Sequence, residues 1–216
     1  MDRLVTFIEK LQIQVYSEAP TELHGEITGR ALEYLSELFP INSGMKVLDV
    51  GCGQGPALDW FKEQGFDYRG VTLSDEEIAI CRARGFVVDK MDQSFLDYPD
   101  EIFDLLWARH VLEHSPFPLF TLEGFRRVLK PGGMLYVEVP APDTISHHEK
   151  NPNHYSVFCK AAWIELLGRS GFKFVAGKDY FLEGPNGSDQ YWGFYVVKLD
   201  SSGLLPLESY KKERAF

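Results

Sequence analysis

At 216 residues, 44% of them hydrophobic and 25% charged, the chain has the composition of one soluble globular domain with room for a continuous core. Acidic residues outnumber basic ones by 32 to 22, a net charge of −10. That sign argues against nucleic acid as a partner, because phosphate binding draws its affinity from Lys and Arg. Cys52, Cys81 and Cys159 are too few and too scattered for a disulfide framework or a zinc knuckle, no apolar run is long enough to cross a bilayer, and the N-terminus lacks the apolar core of a secretion signal, so a cytoplasmic protein with reduced thiols is expected.

No repeat, low-complexity tract or linker divides the chain. In "LVTFIEKLQIQVY" the residues Leu4, Phe7, Ile8, Leu11 and Val15 share one helical face, and Glu22 to Phe39 repeats the pattern with Ala31, Leu32, Leu35, Leu38 and Phe39. Pro40 and Gly44 end that helix. From Lys46 onward the pattern changes to short apolar runs alternating with amphipathic stretches. "KVLDV" is a buried strand, Ala57 to Gln64 a helix and "YRGVTL" a second strand. "SDEEIAICRAR" is a helix with Ser74 as N-cap and Asp75, Glu76 and Glu77 in its first turn, where acids suit the helix dipole. Then follow "FVVDK", a loop, "FDLLWA", a helix ending near "RRVLK", "PGG" as a turn and "MLYVEVP". A helix from Lys160 to Arg169, the strand "FKFVAGKDY", the turn "EGPNGSD" and the strand "YWGFYVVKL" complete the pattern.

Strands separated by helices predict a parallel sheet covered on both faces, and two consecutive strands joined by a turn pair antiparallel. The expected fold is therefore α/β, a doubly wound, Rossmann-like, seven-stranded sheet, mostly parallel with one antiparallel strand near the edge, plus N-terminal helices. The expected divisions are a helical cap at 1–45, the sheet domain at 46–199 and a C-terminal tail at 200–216.

Ligands of such sheets bind beyond the carboxyl ends of the strands, next to the first one. There the sequence places "VLDVGCGQGPALDW", with Gly51, Gly53 and Gly55 in quick succession. Glycines let the backbone turn sharply and approach a ligand closely. A phosphate loop would continue with Lys and Ser or Thr, and a dinucleotide fold would open with G-x-G-x-x-G. This loop instead reads D-x-G-x-G-x-G, led by Asp49.

On these residues the sequence resembles the class I S-adenosylmethionine-dependent methyltransferases. The likeness runs from about Lys46 to Leu199 through "VLDVGCGQG", "GVTLS", "MDQSF", "FDLLWARHVLEH" and "RVLKPGGMLYVEVP", in the family's order and spacing. It implies S-adenosyl-L-methionine as cofactor and S-adenosyl-L-homocysteine as product. Gly51, Cys52 and Gly53, with Gly55, would pass beneath the methionine half, and Asp49 would hold the loop or reach the amino group. Thr72 and Leu73 stand where the family usually has an acid for the ribose hydroxyls. "GVTLS" is similar in this to the cyclopropane fatty acid synthase branch, although the chain is short for it. Glu77, five residues after Thr72, reads equally as a ribose ligand or as an ordinary first-turn acid. Asp92, 12 residues before Asp104, matches the acid that takes the adenine amine, with the Gln93 N–H beside it. Asp97 and Asp100 read as surface residues. Ala108 and Arg109, at the end of the fourth strand, would face the methyl group.

On the acceptor side, "HVLEH" puts His110 and His114 on one helical face. That spacing can bind metal, but the resemblance implies a small-molecule signature that needs none. His110 is expected to touch substrate, and His114 to be structural, paired with Glu113 or a backbone carbonyl. The segment "PAPDTISHHEKNPNHYSVF" exceeds the ~2 to 6 residues usual for such a connection. It carries Asp143, His147, His148, Glu149, His154 and Tyr155. These read as a general base with a phenol, as a metal site or as a solvated polar loop, and His154 with Tyr155 is the pair singled out. Trp60, Trp107, Phe158, Trp163, Tyr180, Phe181, Tyr191 and Trp192 surround the expected mouth, and Tyr16 and His24 would add to the pocket. The expectation is a methyltransferase acting on a small-molecule acceptor at O, N or C, such as a sugar, lipid-like compound or secondary metabolite, as a monomer or homodimer. A protein or RNA methyltransferase, or a non-catalytic cofactor-binding regulatory module, is the alternative.

Overall fold

In the computed structural model, which describes residues 2–12, 22–184 and 187–199, the strands are β1 (Lys46–Val50), β2 (Asp67–Thr72), β3 (Val88–Lys90), β4 (Phe103–Arg109), β5 (Leu129–Pro140), β6 (Phe172–Gly184) and β7 (Gly187–Lys198). They form one sheet in the order β3-β2-β1-β4-β5-β7-β6. β7 runs antiparallel to both of its neighbours, and the remaining pairs are parallel. The expected sheet, with its single reversed strand next to the edge, is the one observed.

The helices are α1 (Asp2–Gln12), α2 (Glu22–Leu38), α3 (Pro56–Glu63), α4 (Asp75–Ala83), α5 (Pro118–Val128) and α6 (Lys160–Arg169). Residues 13–16 of the expected first helix, Val15 and Tyr16 among them, lie outside the described residues, as do the tail 200–216 and the side chains of Leu4 and His24. Successive strand residues face opposite sides of the sheet, and this splits the core in two. Val47, Leu105 and Tyr136 join α2, α3 and α4 on one face. Leu48, Leu106 and Val137 join α5 and α6 on the other. Ile27, Ala31, Leu32 and Leu35 bury α2 directly in the first of these layers. Burying a Leu or Ile side chain contributes about 1.5 to 3 kcal/mol, which holds α2 on this face while Gly25 and Thr28 near its start reach the cavity.

Local chemistry sets the helix starts. Ser74 caps α4 by accepting a hydrogen bond from Glu77 N, as expected. α3 begins at Pro56, a residue earlier than expected, because proline suits the first helical position, where its missing N–H has no partner to lose.

Two expectations fail. The "PGG" turn does not interrupt the chain. Phe103 pairs with Leu129 and Leu105 with Met134, so the extra residues are absorbed as a bulge inside β5, helped by the positive φ of Gly132. Nor does "HVLEH" form one helical face. His110 has φ of 54°, and the helical geometry is confined to a 3-10 turn over Leu112–His114. The spacing of His110 and His114 therefore says nothing about a shared helix face.

Candidate active site

A cavity of about 420 Å³ opens beyond the carboxyl ends of β1, β2 and β4, beneath α1 and α2. This is where the strand order reverses, with β2 on one side of β1 and β4 on the other. At one end stands the glycine loop. Gly51 N and Cys52 N both donate to Val71 O, at 2.8 and 3.0 Å, which folds the loop over β2. Gly51 has φ of 67°, and a Cβ there would stand 1.9 Å from Val111 Cγ1. Both conformation and space require glycine at this position.

Polar groups of the same end converge on the loop. Asp49 is 3% exposed. Burial, and then the Cys81 thiol, push its carboxyl well above the ordinary range, while the Arg109 guanidinium pulls the other way. Thr72 Oγ1 donates to Glu77 Oε2 at 2.6 Å, and both side chains are buried. Glu77 Oε1 lies 4.0 Å from where a Cβ on Gly53 would stand, so this carboxylate and the loop border one space. Glu77 thus lines the cavity from its place in the first turn of α4. Asp92 Oδ1 accepts from Ser94 N at 2.8 Å, and Gln93 Nε2 donates to Val111 O at 2.6 Å, tying the two sides of the cavity together.

Leu73 lines the cavity with Asp49, Gly51, Cys52, Gly53, Thr72, Glu77, Asp92, Gln93 and Arg109. Two expected cofactor residues do not line it. Gly55 is the N-cap of α3, facing Phe86 and Leu58, and Ala108 is wholly buried among the apolar residues under α5. Asp97 and Asp100 are exposed, as expected.

The other end is built around Glu138, close to the carboxyl end of β5 and 0% exposed. Its Oε1 lies 2.8 Å from both Arg109 Nε and His110 Nε2, and Tyr136 donates its hydroxyl proton to the same carboxylate. Burial pushes the Glu138 carboxyl up, but Arg109, His110 and Tyr136 more than offset it and hold it below the usual value. His110 is further fixed by His110 N donating to Glu138 O at 2.9 Å and by stacking on Tyr191, the centroids 4.5 Å apart. Sequence reasoning missed Glu138. Its signal was a lone acid inside the apolar run "MLYVEVP".

The long loop completes this end. His148 Nε2 stands 3.1 Å from Asp189 Oδ2, which also accepts from Ser146 Oγ and Tyr191 Oη. Burial raises the Asp189 carboxyl, yet the neighbouring Thr144 hydroxyl, the hydrogen bond from Ser146 and the nearby His148 bring it below its ordinary value. His154 stacks on His148 with centroids 5.5 Å apart and meets His114 edge-on at 4.8 Å. Burial first, then His114 and His148, lower the His154 imidazole to about 4, so it is neutral near pH 7. His114 Nδ1 lies 2.9 Å from Asn153 O, the backbone-carbonyl partner expected for it. Donor atoms of Glu113, His114 and His154 lie within 4.8 Å of one another.

Tyr155 borders the cavity and is 37% exposed. Asp143, His147 and Glu149 stand outside, where His147 Nδ1 pairs with Glu149 Oε1 at 3.1 Å. Of the aromatic residues expected at the mouth, Trp107, Tyr155 and Tyr191 line it, while Trp163 and Tyr180 are core. No helix among the described residues is long and apolar enough to cross a membrane.

The family model described as a methyltransferase domain matches residues 23–185. The chain belongs to the methyltransferase domain family. A 27-O-demethylrifamycin SV methyltransferase of Amycolatopsis mediterranei is 31% identical over 130 residues, 54% of this chain and 48% of the relative. A ubiquinone biosynthesis O-methyltransferase of Xylella fastidiosa is 35% identical over 113 residues, 49% and 46% of the two chains. A sterol 24-C-methyltransferase of Gibberella zeae is 30% identical over 184 residues, 74% of this chain and 47% of the relative. The chain spans about half the length of these curated relatives. In fold, this methyltransferase domain superposes on an S-adenosylmethionine-dependent methyltransferase from Mesorhizobium loti with a TM-score of 0.69 at 17% identity, covering 82% of this chain and 100% of the other.

Proposed function

We propose that this protein transfers a methyl group from S-adenosyl-L-methionine to a small organic acceptor and releases S-adenosyl-L-homocysteine. The observation that carries the reading is one cavity with two chemically distinct ends, a glycine loop with buried carboxylates and a histidine held by a buried glutamate. The first end suits the cofactor. Asp49, Gly51, Cys52 and Gly53 would hold its methionine half, Thr72, Leu73 and Glu77 its ribose, and Asp92 and Gln93 its adenine. Gly53 has no side chain to fill the space facing Glu77 Oε1, and that carboxylate already accepts the Thr72 hydroxyl. Bound there, the cofactor supplies an electrophilic methyl group on a sulfonium centre.

The chain's own residues then align the acceptor, exclude water and hold its proton. Glu138 fixes the plane of the His110 ring and stabilises the imidazolium that forms when His110 takes a proton from an acceptor O–H or N–H. Arg109 and Tyr136 keep Glu138 ionised for that purpose. His154, Tyr155 and Tyr191 line the acceptor's share of the cavity, and Ile8 and Leu11 of α1 supply apolar cover. The relatives named for a rifamycin, a ubiquinone precursor pathway and a sterol support a small hydroxylated or lipid-like acceptor. A cytoplasmic setting accords with the free thiols of Cys52 and Cys81.

The test is transfer of a labelled methyl group from the cofactor into a panel of phenols, catechols, polyketides and sterols. Labelled product from at least one class is expected, and it should disappear in His110→Ala. Labelled product undiminished in His110→Ala would remove His110 and Glu138 from the chemistry.

A further inference from the structure

We propose that Glu113, His114 and His154 form a binding site for a divalent transition-metal ion, such as zinc, cobalt or nickel, at the acceptor end of the cavity. One carboxylate oxygen and two imidazole nitrogens lie within 4.8 Å of one another there. An ion with bonds of about 2.0 to 2.2 Å fits between donors at that separation after small side-chain rotations. The donor set, two nitrogens and one oxygen, is one that transition metals bind in preference to magnesium or calcium.

The surroundings hold these donors in place. His114 Nδ1 stands 2.9 Å from Asn153 O, and a backbone carbonyl can only accept, so Nδ1 carries the proton and Nε2 is the unprotonated ring nitrogen, the one whose chemistry suits a metal. A ring nitrogen fixed by a carbonyl is the usual second-layer arrangement for metal-binding histidines. His154 Nδ1 is buried with no hydrogen-bond partner among the described residues. A buried imidazole nitrogen left without a partner is costly unless something else occupies it.

The donors come from two segments, the 3-10 turn at Leu112–His114 and the long loop. Ser156 clips these together, its N donating to Glu113 O at 3.0 Å and its Oγ donating to Ser115 O at 2.7 Å. The clip lies two residues from His154, so the backbones that carry the donors are held together and only side-chain rotations remain to close on an ion. His148 is not a ligand, because its Nε2 is engaged by Asp189.

All three residues line the cavity. An ion with three protein donors keeps at least one open position, and an acceptor carrying adjacent oxygens would complete it. That last step, and it alone, rests on the methyl-transfer reading.

The experiment is a titration of untagged, metal-stripped protein with cobalt(II), followed by calorimetry and by the visible spectrum of the bound ion. One equivalent is expected to bind at micromolar affinity or better, with the intense bands of a four- or five-coordinate site. His114→Ala and His154→Asn should each weaken binding by at least about tenfold, and His147→Ala should not. Each variant is also titrated with S-adenosylhomocysteine. Retained binding of that product shows that the variant is folded and tests the cofactor reading separately. Cobalt binding without product binding would leave the metal site standing and sink the methyl-transfer reading. No cobalt binding to the wild type, or binding unchanged in the His114→Ala, His154→Asn double variant, would overturn the metal site.

Discussion

At the glycine end of the cavity the contacts are made by backbone atoms and by pairs close in sequence, as in Gly51 N and Cys52 N to Val71 O and Thr72 to Glu77. At the histidine end they are made by side chains from segments far apart, with Glu138 of β5 holding His110 after β4, and Asp189 of β7 holding His148 of the long loop. The first arrangement is rigid because β1 and β2 fix it. The second depends on both the strand ends, which carry Glu138 and Arg109, and the long loop, which brings in His148 and His154. The two ends are joined by hydroxyls, with Ser94 and Ser115 both bonded to Thr121, and Ser156 to Ser115. Cofactor affinity and turnover should therefore fail separately when residues of one end or the other are changed.

The sharpest separation is expected from His110→Ala and Glu138→Gln. A positioned proton acceptor contributes about 10² to 10⁴ in rate, so turnover should fall by about that much while calorimetry finds the affinity for S-adenosylhomocysteine unchanged. Gly51→Ala should do the reverse. The clash with Val111 and the positive φ displace the loop, and the same titration should show cofactor affinity reduced by more than about tenfold, in a protein that melts at a lower temperature. Asp92→Ala should have a smaller effect at the same end, about tenfold, if its hydrogen bond to the cofactor is worth about 1.5 kcal/mol.

The pH dependence of cofactor affinity sharpens the contrast further. Because the Asp49 carboxyl is raised, it takes up a proton at a higher pH than an ordinary carboxylate. In the proposed role Asp49 must be ionised to hold the cofactor's ammonium, so affinity should weaken as pH falls through that range. A pH series of titrations should show this slope in the wild type and lose it in Asp49→Asn. Tyr155→Phe is expected to change least, a few-fold in the acceptor KM, because Tyr155 is partly exposed at the mouth.

The glycine end was legible in the sequence because its residues are close together and their types are dictated locally. A Cβ at Gly51 has nowhere to go, and the Ser74 cap places Glu77 on the turn beneath Thr72. The same closeness misled at "HVLEH", where spacing suggested a helix and the positive φ of His110 prevents one. The pairing of Glu138 with His110 was invisible, since nothing in the 27 residues of intervening chain marks the register that brings β5 beside β4 at Arg109 and Glu138. Even so, an acid in the middle of "MLYVEVP" is costly to bury unpaired, and that cost was the available clue. The histidines of the loop were identified as a group. Which of them face the cavity depends on the bonds of Asp189 and Ser156, and His147, beside His148 in sequence, faces out.

The most direct measurement is calorimetric titration of the wild-type protein with S-adenosylhomocysteine in the presence of a chelator. The account predicts one molecule bound per chain with a dissociation constant on the order of micromolar. No heat of binding at millimolar ligand would contradict it, because the glycine loop and its carboxylates would then serve something else.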